Sequence, residues 1–83
     1  MTKIMRDCDS RWPSGTSVSL YRRVMRDGAY VADGTAVATA TVAAGLLTLA
    51  NVPEDGAGYI AIGANGARAM TGAGARLSWA ASH

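Results

Sequence analysis

The side chains that could do chemistry in this chain are few and poorly placed for it. Its 83 residues include one cysteine, Cys8, and one histidine, His83. Nucleophilic and acid–base catalysis both need a reactive group with a positioned partner beside it. His83 is the last residue of the sequence, and chain ends fray. Cys8 stands between Asp7 and Asp9, and two carboxylates oppose thiolate formation. One Cys and one His do not complete a tetrahedral metal site. The acids Glu54-Asp55 suggest calcium, but an EF-hand loop spreads oxygen ligands over about twelve positions, and PEDGAG lacks them. The glycines of GAGYIAIGANG and TGAGA form no GxxxxGK[ST] phosphate loop. They read as turns. The expectation is no catalytic residue, no cofactor and no metal.

The remaining polar cluster is Arg22-Arg23 with Arg26. On a strand, neighbouring side chains point to opposite faces, so Arg22 and Arg23 do not make one patch. Three roles stay open for them: a solvated edge guard, an inter-subunit ion pair or a phosphate contact. Nucleic-acid binding is not expected. The net charge is only +2, and the basic residues of the first third alternate with Asp7, Asp9, Asp27 and Asp33. A nucleic-acid module keeps a dense basic face.

The elements that must position these residues are short strands. From Gly34 to His83 the only charged residues are Glu54, Asp55, Arg68 and Arg76. The apolar runs between them are too short and too broken by glycine for a membrane helix, and MTKIMRDCDSRW has no apolar stretch of a secretory signal. Ser17–Met25 alternates as a strand, with a helix over Leu20–Arg26 as its competitor. Asp27-Gly28 and Asp33-Gly34 read as turns on either side of a short strand, Ala29–Ala32. Thr35–Ala43 is the clearest strand, rich in β-branched residues. Leu46–Val52 follows the Ala44-Gly45 turn, with Leu47 and Leu49 on one face. Pro53–Gly58 reads as a loop. Tyr59–Ala64 and Ala67–Met70 flank Asn65-Gly66, a type I′ hairpin signal. Gly72–Gly74 loops to Ala75–Ala80, with Leu77 and Trp79 inward. About seven strands with frequent turns predict an all-β fold, a small antiparallel β-sandwich or partly open barrel.

Residues 1–16 read as an extended N-terminal arm and residues 17–83 as a single β domain. Trp12-Pro13 is the notable pair of the arm. A Trp in a polar segment either packs on its own body or plugs a pocket on a neighbour. The candidate protein-interface residues are therefore Ile4, Met5, Arg6, Arg11 and Trp12 on the arm, with Arg22 and Arg23 on the first body strand. A chain this small buries roughly 60–65% of its unfolded surface. Seventeen alanines and no phenylalanine leave a thin core, and a lone cysteine forms no disulfide within one chain. Oligomerisation or docking onto a larger body is the remaining support, and a homo-oligomer or symmetric assembly is expected.

The span Tyr30–Gly66 runs VADGTAVATATVAAGLLTLANVPEDGAGYIAIGANG after its tyrosine. In its order of strand, glycine turn, strand, proline turn and aromatic strand it resembles small virion proteins of tailed bacteriophages, capsid decoration and minor capsid proteins among them. The resemblance covers about half the chain. It implies a structural virion protein on the capsid surface, made in the host cytoplasm and partnered by the major capsid protein or other virion subunits. A tail or connector subunit, or a non-viral adhesion or carbohydrate-binding module, are the alternatives.

Overall fold

The computed structural model describes residues 3–7, 10–50, 52, 58–71 and 77–79. They form seven strands: β1 (Lys3–Asp7), β2 (Ser17–Arg26), β3 (Ala29–Thr41), β4 (Leu46–Leu49), β5 (Tyr59–Gly63), β6 (Arg68–Met70) and β7 (Leu77–Trp79). Two antiparallel sheets result, one ordered β4-β1-β7 and the other β3-β2-β5-β6. This is the small all-β sandwich that the alternation predicts.

The core follows from that alternation. On β2, Val18 and Leu20 are buried; on β4, Leu47 and Leu49 are buried while Leu46 and Thr48 are exposed. Met5 comes in from β1, and Tyr59 and Ala61 from β5. Alanines at 38 and 40 pack against the same cluster, and their small size lets the backbone approach closely.

Three expectations need correction. First, the described part of the expected arm, residues 3–7 and 10–16, is held against the body. Lys3–Asp7 pairs with β4 on one side and β7 on the other, with Met5 opposite Leu47 and Trp79. A segment that looks polar in sequence becomes a central strand because both its edges find partners. Second, Asp33-Gly34 is not a turn. Leu20 pairs with Ala38 but Arg22 with Asp33, so Tyr21 alone stands opposite Gly34–Val37. The extra residues form a bulge within one continuous strand, with Gly34 at φ +66. Bulges bend a strand without ending it. Third, Asn65-Gly66 is not type I′. Gly66 has φ +89, but Asn65 is absent from the residues with positive φ. Gly66 N donates to Gly63 O, Gly63 N donates to Ala67 O, and the loop is a three-residue hairpin whose glycine takes the left-handed position. The type I′ pattern, positive φ at both central residues, occurs instead at Asp27-Gly28 and Ala44-Gly45. Pro53–Ala57, Gly72–Arg76, the end of the last expected strand, and the acids Asp9, Glu54 and Asp55 lie outside the described residues, as do Cys8, His83 and the side chains of Leu77 and Trp79.

Candidate protein-interaction surface

The segment after β1 is clasped to the body. Asp7 is buried, and its carboxylate accepts from Arg11 Nε at 3.2 Å and from the backbone N–H of Trp12 at 3.1 Å. Trp12 Nε1 donates to Ala67 O at 3.1 Å. Arg11 Nη1 donates to Arg68 O at 2.6 Å, and Asn65 Nδ2 donates to Arg11 O at 3.2 Å. Arg11 also lies 5.7 Å from the Trp12 ring centroid. These bonds staple residues 11–12 onto the β5–β6 hairpin.

The clasp decides between the two readings of Trp12. The indole is only 2% exposed and belongs to the protein's own core, as does Met5. Neither is available as an anchor on a neighbour, and that expectation is corrected. Ile4 is half-buried and Arg6 is exposed on β1. Arg11 is largely committed to Asp7 and the hairpin. The interface candidates of the arm are therefore dispersed rather than gathered.

Arg22 and Arg23 lie at the root of a different feature. β2 pairs with β5 only from Val18 to Arg22, and Arg23 N still donates to Gly58 O at 2.9 Å. Beyond it, among the described residues, Val24–Arg26 pairs only with Ala29–Val31, through the Asp27-Gly28 turn. The two strands leave the sheet as a ribbon. Arg22 and Arg23 do face opposite ways: the Arg22 guanidinium lies 5.9 Å from the Tyr59 ring centroid, that of Arg23 lies 4.4 Å from Tyr30. Arg23 Nη1 also donates to Thr71 O at 3.0 Å. Thr71 is in turn fixed by Tyr59, whose N–H donates to Thr71 Oγ1 at 3.2 Å. Arg23 thus ties the ribbon to the body at its base.

On the Arg23 face of the ribbon, Met25 stands directly opposite Tyr30. They are 58% and 43% exposed, the two most exposed large apolar side chains of the described residues. Arg26, also exposed, lies on the opposite face of the ribbon. A Met–Tyr pair braced by an arginine has the composition enriched at protein interfaces, and the cation–π contact holds Tyr30 in place before any partner arrives. Sequence reading found Arg22 and Arg23 but missed Met25. The signal was there: strand alternation from Arg23 places Met25 on the same face, one step before a turn.

Among the described residues, no three His, Cys, Asp or Glu side chains are grouped to hold a metal ion. No described helix is long and apolar enough to cross a membrane. No family model, curated protein or solved structure matches the chain.

Proposed function

We propose that the protein is a structural subunit of a larger protein assembly, docked through the β2–β3 ribbon. In its specific form it is a decoration or minor capsid protein on the head of a tailed-phage virion, bound to the major capsid protein. The observation that carries the docking reading is the exposed Met25–Tyr30 pair, near the end of a ribbon that pairs with no further strand among the described residues. A projecting hairpin with an aromatic and a methionine at its tip is costly to leave in water and inexpensive to insert into a groove, because its backbone is already ordered. The virion form of the proposal is supported by the resemblance of Tyr30–Gly66 and by a body with few charges.

The test is co-sedimentation of tagged protein with particles assembled without it, followed by electron microscopy of the decorated particles. Wild type is expected to pellet with the particles, and Met25→Asp with Tyr30→Ala to remain in solution with an unchanged far-ultraviolet spectrum. Undiminished pelleting of the folded double variant would remove the ribbon from the contact. Wild-type protein that stays in solution would remove the capsid role, and density along the tail instead of the head would make it a tail subunit.

A further inference from the structure

Asn65-Gly66 forms the tip of the β5–β6 hairpin and is exposed to water. An asparagine followed by glycine can lose its side-chain amide without an enzyme, because glycine leaves the next backbone nitrogen unhindered. Gly66 N bonds to Asn65 Cγ, and Nδ2 departs as ammonia, taking the proton of Gly66 N. The cyclic imide that results has room here, since nothing lies within 4 Å of a side chain built on Gly66. Water then opens the ring. Its hydroxyl goes to Cγ or to the main-chain carbonyl carbon, and its other proton returns to Gly66 N. The first route leaves aspartate, the second isoaspartate. The chain holds one other asparagine, Asn51, and the branched side chain of Val52 crowds the attacking nitrogen there.

The folded protein holds the groups that must react. Nδ2, the leaving group, donates to Arg11 O at 3.2 Å, and Oδ1 accepts from Ala67 N at 3.1 Å. Gly66 N, the nucleophile, donates to Gly63 O at 2.9 Å. Ring closure has to undo these bonds. The first of them belongs to the clasp that Asp7, Arg11 and Trp12 make on the hairpin. The clasp therefore guards the amide, and reaction waits for local opening. The product cannot restore the clasp. An aspartate at this position turns a carboxylate oxygen toward Arg11 O, two acceptors with no proton between them. Isoaspartate also routes the main chain through Cγ and lengthens the loop that carries Ala67 O, the acceptor of the Trp12 indole.

We propose that Asn65 is a self-modification site under the control of the clasp. Opening of residues 11–12 from the hairpin permits deamidation, and deamidation keeps them open, a one-way latch that frees Trp12. The site is separate from the Met25–Tyr30 face, so each can fail without the other.

The test incubates the full chain in heavy-oxygen water and follows peptide masses, so that only amides lost during the incubation carry the label. Label is expected at Asn65 and not at Asn51. Its rate should be at least about tenfold lower in the folded protein than in urea. Trp12→Phe removes the indole bond to Ala67 O and should raise the folded rate at least about threefold. Thr48→Lys, at an exposed position of β4, should leave it unchanged. Asn65→Asp reproduces one product, and exchange of the Trp12 indole proton should quicken in it at least about threefold. Equal rates in the folded protein and in urea, or no gain from Trp12→Phe, would overturn the guard. An unlabelled Asn65 in both states would overturn the site. Indole exchange unchanged in Asn65→Asp and in the purified deamidated protein would overturn the latch. If Trp12→Phe does not fold, the ratio of folded to urea rates decides the guard.

Discussion

Trp12 lies against Gly63 so closely that a methyl group built on Gly63 would sit 2.5 Å from the indole Cδ1 and Nε1 and 2.8 Å from Asn65 Oδ1. The missing side chain at the end of β5 is the space that the indole occupies. Gly63→Ala is therefore expected to displace Trp12 and weaken its bond to Ala67 O. Overpacking of this kind costs about 1–3 kcal/mol. A lower urea midpoint with a red-shifted tryptophan emission would show it. An unchanged midpoint would mean that the indole is not seated there.

Asp7 organises the same clasp from below. Its carboxylate accepts from both Arg11 and the Trp12 backbone, and its removal leaves a buried N–H unsatisfied. Asp7→Ala should cost about 1–3 kcal/mol in chemical denaturation. A loss well under that range would show that water replaces the carboxylate.

Ala44 is held at φ +52, a region that L-residues other than glycine and asparagine seldom take. Glycine relieves that strain at the cost of a more flexible unfolded chain. Ala44→Gly should raise stability by about 0.5–1 kcal/mol, or several degrees in Tm for a domain of this size. Calorimetry showing a lower Tm would reject the strained turn.

Gly66 has φ +89 with open space around its missing side chain. Gly66→Val is thus a test of backbone strain alone, and a β-branched residue there should cost more than about 1 kcal/mol. Equal urea midpoints and slopes for variant and parent would refute the left-handed assignment.

The ribbon should tolerate change that the clasp does not. Met25→Asp removes a side chain that is mostly in water, so it should shift stability by no more than about 0.5 kcal/mol. Arg23→Ala removes a bond to Thr71 O and the brace on Tyr30, and faster amide exchange confined to residues 24–31 is its expected signature. Exchange that also accelerates in β5 would mean the ribbon is part of the cooperative core.

Local pattern was enough to give β2, β4, β5 and β6, because each carries a period of two or a flanking turn that needs no distant residue. It also put Leu47 and Leu49 on one face, apart from Leu46 and Thr48, and Gly66 at positive φ. The rest depended on partners far along the chain. KIMRD became β1 only because Leu46–Leu49 and Leu77–Trp79 lie on either side of it. Asp33-Gly34 carries a turn signal, yet β2 continues past it and holds both flanks, so a bulge results. Ala44 carries no sign of positive φ; the bonds between Ala43 and Leu46 impose it. Trp12 could point outward or home until Gly63, Asn65 and Ala67, more than fifty residues away, provided a pocket and an acceptor. Alternation records which face a residue takes within its own strand. What that face meets is fixed by long-range pairing, which no local stretch of this chain encodes.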